Sequence, residues 1–264
     1  MGIDLQQLAF AYHKGRNVLD GIDLGLDGGQ LVSLLGPNGS GKSTLLRLIG
    51  GFMPPTSGSI KIDGLISHSM GTNSRAMRLA YVPQQPTLAF AYDLASYVAF
   101  GRHALGRRDA DRFAQDALNR LDLAHLAGRA VGELSAGQRQ RAAIARALCQ
   151  LMGDRPAGCT RVLLADEPLS ALDPRHALLV SELLTELSSE GVLVIAVLHD
   201  LALASRLSDR VVLLSDEGRV LASDKPDAAL REDNLKSAYG VGFDRVSHDS
   251  KLVALLPKNQ GRLV

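Results

Sequence analysis

Nine residues, Gly36-Pro37-Asn38-Gly39-Ser40-Gly41-Lys42-Ser43-Thr44, limit what this chain can fold into more than any other stretch. They follow the apolar run Leu31-Val32-Ser33-Leu34-Leu35 and open the helix-like Lys42-Ser43-Thr44-Leu45-Leu46-Arg47-Leu48-Ile49. The expected unit is a strand, a glycine loop and a helix N-terminus. Glycines let successive backbone N–H groups turn toward one anion, the helix start adds partial positive charge, and a lysine supplies a mobile cation. This set of groups fits a nucleoside triphosphate, with Lys42 on the β- and γ-phosphates and the Ser43 hydroxyl on Mg²⁺. A flexible glycine-serine linker has a similar composition, but it would not sit between an apolar strand and an amphipathic helix.

A chain of 264 residues can bury a substantial core as one or two domains. Its 29 basic and 28 acidic residues nearly balance, which gives no electrostatic case for nucleic acid. The longest uninterrupted apolar run, Val192 to Leu198, is far short of a bilayer span. Asp4 comes early and no basic segment precedes an apolar core, so no secretory signal is expected. Cys149 and Cys159 are too few for a disulfide scaffold and lack metal spacing with any histidine, which makes them free structural thiols of a reducing compartment. The expected location is the cytosol.

Along the chain, Ile3-Asp4-Leu5, Leu8 to Tyr12, Val18-Leu19 and Ile22 to Leu26 alternate weakly, as antiparallel strands ahead of the glycine loop would. Ser59 to Gly64 alternates like an edge strand, and Leu79-Ala80-Tyr81-Val82 is a short strand running into Pro83-Gln84-Gln85-Pro86. From Pro86 to Met152 the texture changes: Ala110, Phe113, Ala114, Ala117, Leu118 and Leu121 recur at helical spacing, so a mostly helical insertion is expected there. Strands return at Val162 to Ala165, Val192 to Leu198 and Val211 to Leu214, alternating with helical stretches. That order favours an α/β fold with a largely parallel sheet.

Val162 to Ala165 ends in Asp166-Glu167-Pro168. In a phosphate-loop protein an acid at the end of a neighbouring parallel strand reaches the Mg²⁺ shell, the role open to Asp166, while Glu167 could polarise an attacking water. Both could instead cap the next helix. Leu134-Ser135-Ala136-Gly137-Gln138 has a simple local explanation, because Ser135 with Gln138 three residues on is a capping box.

Taken with the following Arg139-Gln140-Arg141 and the Asp166-Glu167 strand behind it, this string resembles the signature of the ATP-binding cassette (ABC) family, Leu-Ser-Gly-Gly-Gln, with Ala136 in place of a glycine. The resemblance runs over nearly the full chain. It implies a phosphate-loop ATPase core with a parallel sheet, an N-terminal antiparallel β-subdomain and an inserted helical subdomain. On these boundaries 1–85 and 154–230 are the nucleotide-binding core, 86–153 the helical signature subdomain and 231–264 a C-terminal extension. Tyr12 matches the aromatic that stacks on adenine, Gln84 the loop glutamine that touches Mg²⁺ and senses a membrane partner, and His199 the switch histidine on the γ-phosphate. Ser170-Ala171-Leu172-Asp173 resembles the loop crossing the dimer interface, although Leu169 stands where the family more often has threonine. Taken alone, Tyr12 would be a core tyrosine and His199 a structural residue at a strand end.

The resemblance further implies that two copies pair head to tail, Ser135, Ala136, Gly137 and Gln138 of each facing the other's ATP. It implies hydrolysis with Lys42, Glu167 and His199, and a transmembrane permease dimer seated on the helical insertion, with Leu88-Ala89-Phe90-Ala91-Tyr92 as contact residues. Val197 to Ala204 and Leu235 to Val241 look like the ATPase subunits of bacterial importers for iron-siderophore, haem or vitamin B12, which work with a periplasmic or surface substrate-binding protein. The loop between Cys149 and Arg161 is similar to that of haem-importing members. Such a subunit lies peripherally on the inner face of the cell membrane. A soluble cassette protein acting outside transport would share the motifs, but those of DNA repair carry long coiled coils and those of translation carry two cassettes. A phosphate-loop kinase or GTPase would need neither the signature nor His199.

Overall fold

In the computed structural model, residues 2–13, 15, 17–86, 92–106, 108–248 and 251–258 are described. Leu88 to Ala91 of the expected permease contact lie outside them. The phosphate-loop unit folds as its sequence requires: β3 (Leu31–Leu35) is buried along its whole length, and α1 (Lys42–Ile49) follows the loop. A strand buried on both faces belongs in the middle of a parallel sheet. There β3 pairs in parallel with β8 (Leu193–Val197) on one side and β9 (Arg210–Leu214) on the other. Beyond β8, β7 (Val162–Asp166) and β6 (Leu79–Val82) continue the parallel run, and β10 (Val220–Asp224) closes the far edge antiparallel to β9. The register of β6 on β7 sets Val82 against Ala165. It therefore brings the Gln84 loop and Asp166-Glu167 to the same end of the sheet as the phosphate loop.

The N-terminal strands form a second sheet in the order β2 (Leu19–Asp27), β1 (Gly2–Phe10), β4 (Ser57–Ile62), β5 (Leu65–Ile66). The weak alternation of the first segment has a local cause. Gln7 takes a left-handed φ of 45° and shifts the register on both sides of β1. The Gln7 N–H is met by Asp23 Oδ1 at 2.8 Å. In contrast to the sequence expectation, β4 is not an edge. Asp63-Gly64, both at positive φ (50° and 79°), turn the chain back so that Leu65-Ile66 pairs on its outer side, the geometry a two-residue hairpin demands.

The region expected to be helical carries α3 (Leu94–Ala99), α4 (Ala110–Arg120) and the long signature helix α5 (Ala136–Leu151), while α2 (Thr72–Arg78) precedes β6. Ala110, Ala114, Ala117 and Leu118 form the buried face of α4 that their spacing anticipated. Val98, Leu118 and Ile144 of the insertion share one buried cluster with Leu163, Ala196 and Leu213 of the sheet, so the two parts pack as one body. The C-terminal half adds α6 (Pro174–Ser189), α7 (Leu201–Leu207), α8 (Pro226–Ala229) and α9 (Glu232–Tyr239), then the hairpin β11 (Phe243–His248) and β12 (Lys251–Pro257). Within 231–264, Leu235 and Ala238 are buried in the same cluster as the sheet, and Tyr239, Phe243 and Leu255 pack against it.

Candidate active site

The phosphate loop is held open at the mouth of α1. Gly41 caps the helix in the left-handed conformation, no side chain caps it, and its first turn holds no acidic residue. The leading amides of α1 are therefore free for an anion, and the helix dipole is uncompensated at that end. A side chain at Gly41 would collide with Leu19 at 2.6 Å and the Val18 carbonyl at 3.0 Å, so the turn admits only glycine. Lys42 folds back over this loop, donating to the carbonyls of Gly36 at 2.9 Å and Pro37 at 2.7 Å. Ser40 is fully buried beneath it. Burial pulls the Lys42 pKa down, and the nearby Glu167 and Asp166 carboxylates oppose that shift.

β7 delivers the two acids. Asp166 is buried, and its Oδ1 accepts a hydrogen bond of 3.0 Å from the Ser43 hydroxyl. Burial raises its pKa, against the Ser43 hydrogen bond. Glu167 follows in a left-handed backbone, φ 51°, a conformation that costs a non-glycine residue on the order of 1–3 kcal/mol and recurs at functional sites. This turn aims Glu167 away from Asp166 and toward the end of β8, where His199 Nε2 lies 2.8 Å from Glu167 Oε1. The His199 side chain is 48% exposed and Glu167 16%, so the histidine forms the outer, accessible half of the pair.

Tyr12 is 49% exposed, edge-on to Phe10, and its hydroxyl meets Thr44 Oγ1 at 3.1 Å. It borders a cavity of about 800 Å³ with Asn17, Gly39, Asp216, Glu217 and Arg219, large enough for a nucleoside next to the loop. The lining from the β9–β10 turn carried no recognisable signal in the sequence. The same holds for Tyr81, which donates to Asp166 Oδ2 at 3.4 Å, because only the sheet register brings the two together.

The remaining expected residues sit on other loops and helix starts. Gln84 is exposed after β6. Asp173 caps α6, accepting from the His176 amide at 3.0 Å, and the Ser170 hydroxyl donates to the Glu167 carbonyl at 3.1 Å. Ser135 caps α5 in a complete capping box, its Oγ accepting from the Gln138 amide at 3.2 Å while its own amide donates to Gln138 Oε1 at 2.9 Å. Ser135 and Ala136 are exposed, and a side chain at Gly137 would come within 3.0 Å of the Ala171 carbonyl. The signature thus presents outward, beside the Ser170–Asp173 loop. Ser135→Ala should lower stability by roughly 0.5–2 kcal/mol through the lost cap, read as a fall in melting temperature. An unchanged melting temperature would mean that the cap contributes nothing.

A site with an uncapped helix mouth, a lysine folded over the loop, a carboxylate bonded to the loop serine and an acid beside a histidine defines a phosphate-loop ATPase. The chain belongs to the ABC transporter family, whose model matches residues 19–170, and its activity is ATP hydrolysis. Similar proteins include the hemin import ATP-binding protein HmuV of Pseudomonas aeruginosa, 40% identical over 229 residues, covering 86% of this chain and 88% of that protein. The HmuV of Bordetella avium is 38% identical over 245 residues, 91% of this chain and 93% of the relative. Among solved structures, an inward-facing ABC transporter assigned to the metal-chelate type superposes with a TM-score of 0.79 at 26% identity, covering 98% of both chains. The dimeric cassette MJ0796, in a post-hydrolysis state with ADP and phosphate, gives 0.75 at 29% identity, over 85% of this chain and 98% of that one.

Proposed function

We propose that this chain is the ATPase subunit of a bacterial importer for haem or a related iron chelate, working as a head-to-tail pair of copies beneath a permease dimer. The observation that carries this reading is the likeness to hemin import ATP-binding proteins over most of both chains. In it, 1–85 with 154–230 bind nucleotide, 86–153 carry the signature, and 231–264 extend the core. The subunit sits on the cytoplasmic face of the membrane through its permease, which fits a chain in which no helix of the described residues is long and apolar enough to cross one. A substrate-binding protein outside the membrane delivers the chelate.

Within the site, Gly36 to Thr44 wrap the phosphates, Lys42 neutralises their charge, and Tyr12 stacks on the base. Ser43 and Asp166, with Gln84, present hard oxygen donors, the set that Mg²⁺ prefers together with substrate phosphates. Among the described residues no three His, Cys, Asp or Glu side chains converge on a metal, as suits an ion held chiefly through the nucleotide. The ion, when bound, neutralises charge on the transferred phosphoryl group. Glu167 accepts the proton of the attacking water, and His199 leaves it to reach the γ-phosphate. Ser135, Ala136, Gly137 and Gln138 close on the ATP of the other copy, and Ser170 to Asp173 line the seam.

Tagged Glu167→Gln chain, loaded with ATP and used to capture partners from detergent-solubilised native membranes, tests the assignment. A polytopic permease is the expected product, and its companion binding protein identifies the chelate. Recovery of soluble protein alone, across several detergents, would replace transport with a soluble ATPase role.

A further inference from the structure

His176 stands in the first turn of α6, directly after Pro174 and Arg175, with its side chain 19% exposed. Its ring Nδ1 lies 2.6 Å from Asp173 Oδ2, while Asp173 Oδ1 accepts from the His176 amide at 3.0 Å. These two bonds hold the Asp173 carboxyl below the usual carboxylate range. An ionised carboxylate only accepts, so Nδ1 carries a proton and donates it. On the other side of the ring, Nε2 lies 3.7 Å from Asp122 Oδ2, which Arg175 also approaches at 3.4 Å. One imidazole therefore stands between a carboxylate of the Ser170–Asp173 loop and a carboxylate of the helical insertion.

Asp122 is itself fixed. It lies just beyond α4 in a left-handed backbone, φ 54°, and Arg141, buried in α5, donates to the carbonyls of Leu121 at 2.7 Å and Asp122 at 3.1 Å. Arg141 is four residues beyond Gly137 and so on the same face of α5, and a side chain at Gly137 would come within 3.0 Å of the Ala171 carbonyl. The start of the signature helix thus meets the Ser170–Asp173 loop twice: directly at Ala171 and, through Asp122 and His176, at Asp173. A loop already held in one conformation does not pay the cost of ordering when it associates. We infer that His176 is a positioning residue for the pairing of two copies: by bridging Asp173 and Asp122 it holds the loop and the signature in one arrangement, so that both meet the second copy preorganised. The inference rests on the reading of that loop and the signature as the seam between two copies.

Sedimentation velocity of the full Glu167→Gln chain in saturating ATP and Mg²⁺, over a range of chain concentrations, tests it. Adding His176→Ala keeps the amide bonded to Asp173 and removes only the ring. It should raise the dissociation constant of the pair by about three- to thirtyfold, because a contact worth a few fold at an exposed site counts twice in a symmetric pair. ATP affinity at chain concentrations too low for pairing should not move, and the melting temperature should stay within about 4 °C. With Glu167 intact, His176→Ala should lower turnover at low chain concentration, and high concentration should restore it to within about twofold at an unchanged KM for ATP. Turnover that stays low at high concentration would mean a general structural role and would overturn the inference. Asp122→Ala should weaken pairing as well, and most of that loss should vanish in the His176→Ala background; fully additive effects would also overturn it. Should His176→Ala not fold, Asp122→Ala alone decides, and pairing within about twofold of the parent counts against the bridge. The Glu167→Gln chain separates the two levels: if it does not pair in ATP at any concentration, the reading of the seam fails and this inference with it. If it pairs and His176→Ala leaves the dissociation constant unchanged, only the role of His176 fails.

Discussion

Glu167→Gln should leave ATP binding intact and lower turnover by about 10²–10⁴-fold, the usual contribution of a positioned general base. The substitution is conservative where it needs to be. Glutamine tolerates the left-handed backbone at this position, φ 51°, no worse than glutamate, and its amide oxygen can still accept from His199 Nε2, now 2.8 Å away. Only the basicity is lost. Phosphate release under saturating ATP, with nucleotide affinity measured in parallel, reads both halves of the expectation. Turnover near the parent rate would remove Glu167 from the proton transfer, and loss of binding would show that the acid holds the site together instead.

The loop proposed to hold the phosphates was legible because that chemistry constrains residue type and spacing together. Gly41 has to be glycine, since the turn is left-handed and Leu19 and Val18 crowd it, and lysine, serine and threonine follow at fixed offsets along one helix start. The acids at the end of β7 could be read only together with the phosphate loop upstream, because two carboxylates before a proline could equally cap the next helix. The surroundings of those acids were not legible. Tyr81 and Asp166 are 85 positions apart and meet through the parallel register that sets Val82 against Ala165, which no local pattern encodes. The cavity beside Tyr12 likewise draws Asp216, Glu217 and Arg219 from a turn that reads as an ordinary polar loop.

Two short strands escaped for a simpler reason. Leu65-Ile66 is two residues long, and Val220–Asp224 is a half-exposed edge in which only Val220 and Leu221 are large and apolar. Neither carries the buried run or strict alternation by which strands are recognised. The Asp63-Gly64 pair did hold the information, because that dipeptide favours the positive-φ turn that folds β5 back on β4. Ser135 shows the opposite difficulty. Its capping box is complete and accounts for the local sequence without any ligand, so a role toward a second copy rests on the exposed position of Ser135 and Ala136 and on family membership.

Lys42→Ala should weaken ATP binding by at least about 10²-fold, equivalent to roughly 3 kcal/mol or more. The ammonium lies on the Gly36 and Pro37 carbonyls at 2.9 and 2.7 Å, neutral acceptors that a polyphosphate outcompetes for a cation. Its transfer to the β- and γ-phosphates exchanges those bonds for at least one charge-assisted contact worth about 1.5–3 kcal/mol, with Coulomb attraction at a buried ammonium added to it. Burial holds the Lys42 pKa down and the Glu167 and Asp166 carboxylates push it up, so incoming phosphate charge strengthens the side that favours the ammonium. Alanine removes the cation but keeps the helix start and its free amides, and residual weak binding should come from those amides together with the base and ion contacts. Equilibrium dialysis with ATP, alongside circular dichroism to establish that the variant is folded, measures the difference. A folded Lys42→Ala chain that binds ATP within a factor of about three of the parent, less than a single lost hydrogen bond of this strength should cost, would mean that the triphosphate does not lie on this loop.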